Sequence, residues 1–122
     1  MVKIRNTKQK FDLEKRTLDL ASSVRDFVKN IQYSIANREY TKQLIRSSSS
    51  VGANYIEANE ALSKKDFVHR LKICRKEVKE TRYWVILIQV EHNKELKITK
   101  ENLIQESTEL LYIFNAIITN SL

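Results

Sequence analysis

Few side chains in this sequence are of the types that do covalent chemistry, and their spacing does not bring them together. Cys74 is the only cysteine, and the histidines are His69 and His92. A thiol nucleophile needs a neighbouring base, and neither histidine is spaced to form such a pair with Cys74. Cys74 instead falls on an apolar repeat, where a thiol behaves as a small hydrophobic side chain. We therefore expect a buried, reduced cysteine that is dispensable for function.

The acidic residues do not predict a metal site. A helical bundle can hold two metal ions when inward-facing carboxylates accompany a Glu-x-x-His motif. The nearest match is Asp66-x-x-His69, and both residues lie off the apolar face of their helix. The pairs Glu57-x-x-Glu60 and Glu77-x-x-Glu80 are typical of exposed helix faces. We expect no metal ion and no catalytic carboxylate.

Serine and glycine offer no alternative chemistry. The run Ser47-Ser48-Ser49-Ser50 lacks the G-x-S-x-G elbow of serine hydrolases and its strand–turn–helix setting. A glycine-rich phosphate loop is excluded because Gly52 is the only glycine. The sequence therefore predicts a protein that is not an enzyme and has no cofactor.

The one chemical signal is a stripe of basic side chains on the predicted third helix, which we call the basic flank. Its members are Lys65, Lys72, Arg75, Lys76, Lys79 and, at its edge, Arg82. Such stripes bind phosphate backbones through counterion release, without reading the base sequence. No aromatic residue interleaves this stripe, so base stacking is not indicated. The alternative is a Lys-rich helix face that is merely solvated.

The positive charge is concentrated in two segments of the chain, which has a net charge of +7. Residues 63–82 contain eight basic and three acidic residues, and residues 1–10 contain four basic residues and no acidic one. A localised basic surface favours an acidic partner. RNA or single-stranded DNA would be such a partner.

Long helices must position these residues. The chain of 122 residues has no proline and one glycine, whereas sheet proteins use both freely at turns. Apolar residues recur at steps of three and four, which is the spacing of one helical face. The spacing predicts four amphipathic helices within one domain.

The first helix is predicted from about Asp12, its N-cap, to Asn30, and the second from about Arg38 to Leu62. The inner face of the first helix consists of Leu13, Thr17, Leu20, Val24, Phe27 and Ile31. The inner face of the second helix consists of Tyr40, Leu44, Ser47, Val51, Tyr55, Ala58 and Leu62. The segment 47–53 has two interpretations: a Ser-rich linker between two hairpins, or an unbroken helix whose small residues admit a close neighbour. The apolar repeat continues across it, which favours the unbroken helix.

The third helix is predicted to begin at a capping-box-like pair, Ser63 and Asp66, and to end within residues 91–94. The fourth helix follows Thr99, a predicted N-cap. The inner face of the third helix consists of Phe67, Leu71, Cys74, Val78, Thr81, Val85 and Ile88. The inner face of the fourth helix consists of Leu103, Leu110, Phe114 and Ile117. Short connections between such helices predict an all-α, antiparallel up-down-up-down four-helix bundle. We expect the bundle over residues 11–122, after a basic N-terminal tail at residues 1–10.

Composition also bears on the cellular compartment. No apolar stretch approaches the ~18 residues that indicate a transmembrane helix. The start of the chain, residues 1–10, is basic and lacks the apolar run of a signal peptide. A single cysteine excludes an intrachain disulfide framework and is typical of a reducing compartment. We expect a cytoplasmic protein with no membrane partner.

Two segments carry more apolar residues than one bundle needs. They are Tyr83, Trp84 and Leu87 near the end of the third helix, and a second stripe on the fourth helix, Ile104, Leu111 and Ile118. Scattered exposed apolar side chains are normal for monomers, but a contiguous patch marks an interface more often. We therefore expect a homo-oligomer that has these residues at its subunit interface.

Two stretches resemble a known family. The first is Lys42-Gln43-Leu44-Ile45-Arg46-Ser47-Ser48 with Val51-Gly52-Ala53-Asn54-Tyr55-Ile56-Glu57-Ala58, and the second is Ser63-Lys64-Lys65-Asp66-Phe67 with Lys76-Glu77 and Glu80-Thr81-Arg82-Tyr83-Trp84. They are similar to the second and third helices of a bacterial four-helix-bundle family encoded in intervening sequences of 23S ribosomal RNA genes. The likeness extends from about Phe11 to the C-terminus.

The resemblance implies a bundle that assembles as a ring-shaped homopentamer. A related branch, the accessory proteins of diversity-generating retroelements, uses a basic surface to bind nucleic acid and a reverse transcriptase. Arg46 and Asn54 match polar positions typical of the family, with no role assigned to them. Two hypotheses follow. One is a nucleic-acid-binding or ribonucleoprotein accessory factor that uses the basic flank, and the other is a structural or protein-interaction module whose basic face is solvated.

Overall fold

The computed structural model describes residues 7–122, and the tail up to Asn6 lies outside them. Four helices occupy this range: α1 (Thr7–Val28), α2 (Ile35–Asn59), α3 (Lys64–Leu87) and α4 (Lys94–Ser121). Each helix packs against its neighbours in sequence, and α1 also packs against α4. The predicted all-α four-helix bundle is confirmed.

Cross-helix hydrogen bonds give the direction of each helix. Arg75 on α3 donates to Asn115 on α4, whereas Arg82, further along α3, donates to Thr108, which comes earlier in α4. The partners therefore run in opposite directions. The same reversal relates α2 to α3 and α1 to α2. The topology is up-down-up-down.

Side-chain caps set where the later helices begin. The caps and the backbone N–H groups that donate to them are Ser34 with Asn37, Ser63 with Asp66, and Asn93 with Leu96. The expected cap at Ser63 is confirmed. The expected cap at Thr99 is wrong, because Asn93 satisfies the first N–H groups of α4 and starts it earlier.

Other helix ends also differ from the sequence prediction. α1 begins at Thr7, so Lys8 and Lys10 belong to a helix and not to the tail. α3 ends at Leu87 because Ile88 is extended, and Lys100 donates to the carbonyl oxygens of Ile86 and Ile88 at 2.9 and 2.7 Å. These bonds satisfy acceptors that the helix end leaves open.

The predicted inner faces meet in one core. All of their members are buried except Ile31 and Tyr40, which are partly buried against the core, and Leu62. Leu62 is 98% exposed. The prediction for Leu62 is wrong because α2 ends at Asn59, which places this side chain in the connection to α3.

The serine-rich tract is an unbroken part of α2, as the apolar repeat indicated. Its small residues allow a neighbouring helix to pack closely on each side. Toward α3, Thr81 donates to the buried hydroxyl of Ser47 at 3.0 Å. Toward α1, a Cβ atom added at Gly52 would lie 3.2 Å from Oγ1 of Thr17. A larger side chain at either position would push a neighbouring helix outward.

We predict that Gly52→Leu destabilises the bundle. Thr17 is buried and donates to the carbonyl oxygen of Leu13, so the new side chain has no space. Overpacking of this kind costs roughly 1–3 kcal/mol, which exceeds the gain of about 1 kcal/mol from replacing a helical glycine. Urea unfolding followed by circular dichroism measures the difference.

The matched control is Ala53→Leu, one residue further along α2 at an exposed position. Its free energy of unfolding should change by no more than about 0.5 kcal/mol. Equal effects of the two substitutions would mean that the contact between α1 and α2 at Gly52 does not limit the packing.

Candidate nucleic-acid interface

The lysines of the basic flank project from α3 into solvent. Lys65, Lys72, Lys76 and Lys79 are all exposed. Lys76 has one neighbouring carboxylate, with Nζ 3.5 Å from Oε2 of Glu77. Within residues 7–122, no ion pair joins any of the other three lysines to a carboxylate. Their charge is therefore available to an anionic partner.

The arginines of the basic flank are held differently. Arg75 and Arg82 are partly buried and reach across to α4, where they donate to the side-chain oxygens of Asn115 and Thr108 at 3.0 and 2.9 Å. Both acceptors are neutral, so the bonds orient the guanidinium groups without cancelling their charge. The structure thus places the two arginines at the side of α3 next to α4, while the four lysines project into solvent.

The acidic residues of α4 that face α1 form ion pairs with an arginine of α1. Arg16 of α1 donates from Nε and Nη2 to both carboxylate oxygens of Glu106 at 2.7 and 2.8 Å, and from Nη2 to Glu109 at 2.7 Å. The bond to Glu106 raises the pKa of Arg16 above its usual value. Hydrogen bonds from Gln105 and then Arg16 lower the pKa of the Glu109 carboxyl. These carboxylates are thus compensated on the α1 side.

Glu77 and Glu80, which lie on the side of α3 that faces α2, are compensated as well. Glu77 was expected to be exposed, but only 6% of it is, because it faces Arg46 of α2. Nη1 of Arg46 donates to Oε2 of Glu77 at 3.5 Å and lies 3.3 Å from Oε1, and Nη2 donates to Glu80 at 3.0 Å. Sequence reasoning gave Arg46 no role, and the structure shows that it holds both acids against α2.

Asn54 also links α2 to α3. Its side-chain oxygen accepts a hydrogen bond from Arg70 at 3.1 Å, and its amide donates to the carbonyl oxygen of Ser50. Arg70 is therefore directed toward α2, away from the basic flank. The two stretches that carry the family resemblance contact each other across this interface.

The apolar residues expected at a subunit interface are only partly exposed. Tyr83 is 57% exposed. Trp84 is partly buried, stacks on Tyr40 with ring centroids 6.0 Å apart, and contacts the edge of Tyr83 at 5.0 Å. Leu87 is partly buried, and the neighbouring Ile86 is 42% exposed. An exposed apolar surface remains at this end of α3.

The second stripe of α4 does not form an exposed patch. Ile118 is 3% exposed and belongs to the core, while Ile104 and Leu111 are partly buried against it. The stripe faces α3, as the neighbouring bonds at Thr108 and Asn115 show. Its apolar character is explained by a wide contact between α3 and α4 within one chain.

The residues with potential for covalent chemistry are isolated. Cys74 is fully buried, and its Sγ lies 3.5 Å from the carbonyl oxygen of Val51. Burial raises the pKa of this thiol to about 12. Residues 7–122 contain no group of three or more His, Cys, Asp or Glu side chains arranged to hold a metal ion. None of the helices in that range is long and apolar enough to span a membrane.

Two comparisons with known proteins found proteins similar to this chain. The family model of the 23S rRNA-intervening sequence protein matches residues 9–116. A crystal structure of a protein with unknown function from the S23 ribosomal protein family of Bacteroides thetaiotaomicron is 31% identical, with a TM-score of 0.72. The likeness covers 90% of this chain and 97% of that one. No curated protein matches the chain.

We predict that Cys74 does not react with thiol reagents in the folded protein at pH 8. Ellman's reagent should label it only in urea. Because the folded-state pKa is about 12 and the unfolded value is about 8.5, unfolding releases a proton between these pH values. The free energy of unfolding should therefore fall as pH rises through this range.

Cys74→Ala is the control for this pH dependence of the free energy of unfolding, since alanine does not titrate. It should fold with a loss of roughly 1–2 kcal/mol from the small cavity it leaves. Rapid labelling of the native protein would contradict the buried assignment.

Proposed function

This chain belongs to the 23S rRNA-intervening sequence protein family, and we propose that it is a non-enzymatic, homo-oligomeric nucleic-acid-binding or ribonucleoprotein accessory factor. RNA or single-stranded DNA would bind along the basic flank of α3. The observation that carries this proposal is the row of exposed lysines, three of which have no carboxylate partner within residues 7–122. Phosphates are the partner that such a row fits.

The shape of the row supports a strand as the ligand. From Lys65 to Lys79 the helix advances about 21 Å at ~1.5 Å per residue, which matches several phosphates of one strand. Arg75 and Arg82 add two oriented guanidinium groups along the same edge. Contacts of this kind act on the backbone, so binding is tolerant of base sequence and sensitive to salt.

Self-association would strengthen such binding. We place the subunit interface at the exposed end of α3, around Tyr83, Trp84, Ile86 and Leu87, since an exposed apolar patch favours burial. A ring, which the family resemblance implies to be a pentamer, repeats the basic flank in every subunit. Several weak contacts on one strand then add through multivalency.

The second candidate is a cytoplasmic protein-interaction module. The same exposed surface at Tyr83 and Ile86 favours it, because this surface would suit a different protein as well as another copy. A reverse transcriptase is the partner that the family resemblance implies. In this case the basic flank is solvated and binds no nucleic acid.

We predict that reversing two charges of the basic flank abolishes nucleic-acid binding. Lys72→Glu combined with Lys76→Glu should leave helicity and assembly unchanged, because both side chains are exposed. Fluorescence anisotropy with labelled RNA and single-stranded DNA at two salt concentrations measures the affinity. For the wild type, the log–log slope should be about 0.7 per neutralised phosphate.

The matched control is Lys29→Glu combined with Lys42→Glu, which changes the net charge equally at exposed residues outside α3. It should retain most of the binding. If the wild type binds neither strand at low salt, the nucleic-acid function is wrong and the interaction module replaces it.

We predict that Tyr83→Glu combined with Ile86→Glu breaks the oligomer into smaller species. Burying unpaired charges in a subunit interface costs roughly 2–5 kcal/mol, while the fold tolerates them because both positions are exposed in one chain. Light scattering after size-exclusion chromatography gives the mass, and circular dichroism checks the helicity.

Tyr33→Glu serves as the control, because Tyr33 is 72% exposed in the connection between α1 and α2. Its mass should equal that of the wild type. An unchanged assembly in the double variant would place the interface elsewhere, and a monomeric wild type would exclude the homo-oligomer.

A further inference from the structure

An exposed aromatic side chain lies next to the basic flank, on the neighbouring helix. Tyr112 of α4 is 68% exposed. It follows Thr108 by four residues and precedes Asn115 by three, so the three side chains share one side of α4. Thr108 and Asn115 are the acceptors of Arg82 and Arg75. Tyr112 therefore stands at the edge along which the two arginines of the basic flank cross to α4.

The antiparallel register places Tyr112 level with the middle of the basic flank. Arg75 pairs with Asn115 and Arg82 with Thr108. The midpoint between these pairs lies near Lys79 on α3 and near Tyr112 on α4. Packed helices are about 8–10 Å apart. A strand whose phosphates follow the exposed lysines would thus carry its bases over the α4 side, toward the ring of Tyr112.

Most of the Tyr112 side chain is open to solvent. Tyr112 makes no hydrogen bond or ring contact within residues 7–122, in contrast to Tyr40 and Tyr83, which pack against Trp84. The acidic residue one turn before it, Glu109, is engaged by Arg16 from α1 at 2.7 Å. Tyr112 is therefore an exposed aromatic side chain next to the positive charge of the basic flank.

We infer that Tyr112 stacks on an unpaired base of a strand held by the basic flank, so that the ligand is single-stranded RNA or DNA and not a duplex. This inference rests on the proposed function. Aromatic stacking tolerates any base and is unavailable to a base inside a duplex. The basic flank supplies affinity for phosphate, and Tyr112 supplies the preference for a single strand.

Titrations with three probes test this: a labelled 20-nucleotide oligouridine, an abasic strand of equal length, and a 20-base-pair duplex. Tyr112→Ala should weaken binding of oligouridine roughly 5- to 150-fold, the range expected for one lost stacking contact. Affinity for the abasic strand and the duplex should not change. Tyr112→Phe should bind as the wild type does, since the ring stacks and the hydroxyl does not.

Tyr33→Ala is the matched control, because it removes a tyrosine that is equally exposed but lies in the connection between α1 and α2. It should leave all three affinities unchanged. A wild type that binds oligouridine and duplex equally, or a Tyr112→Ala variant with unchanged binding of oligouridine, would overturn the stacking role alone. Equal losses for all three probes would also overturn it. A wild type that binds no probe would overturn the proposed function together with this inference.

Discussion

The close packing of α2 between α1 and α3 is the constraint on which the other features of the molecule depend. Ser47 touches Thr81 through a hydroxyl–hydroxyl contact of 3.0 Å on one side, and Gly52 leaves space for Thr17 on the other. Serine and glycine are poor helix formers, so α2 gives up intrinsic helical stability at this point. It recovers stability through tertiary packing, which provides most of the stability of helices in proteins. The orientation of α3 follows from this contact.

That orientation explains why one side of α3 is basic. With α3 close to α2, Glu77 is buried against Arg46, and Glu80 accepts a second bond from the same guanidinium. A buried carboxylate without a partner would be strongly destabilising, so Arg46 is required by the packing. Glu77 and Glu80 are thus compensated on the α2 side of α3, whereas Lys72 and Lys79 have no carboxylate partner within residues 7–122.

The repeating pattern of apolar residues predicted the helices and the core, whereas features that depend on contacts between helices were not predicted. Apolar steps of three and four gave four helices and nearly the whole core, because burial selects side chains at each turn. Helix ends were less predictable, since Asn93 and Thr99 are both acceptable caps and only the fold chooses between them. Ile118 looked surplus because one helix alone does not reveal how wide its contact with α3 is. Tyr112 was missed for the same reason: it adjoins the basic flank in space and lies far from it in sequence.

The family resemblance and the proposed ligand contacts rest on partly different residues of this chain. The stretches that carry the family resemblance include Arg46, Asn54 and Glu80, whose side chains join α2 to α3. These residues determine how the two helices pack, and their hydrogen bonds are formed within one chain. Among the residues proposed to meet a partner, Lys72 and Tyr112 lie outside those stretches, whereas Lys65, Lys76 and Arg82 lie within the second one. Relatives can therefore share the bundle and still differ in their ligands, because substitutions on the exposed side of α3 and α4 leave the contact between α2 and α3 intact. A difference in ligand between relatives would therefore arise at those positions of α3 and α4 that lie outside the family stretches, such as Lys72 and Tyr112.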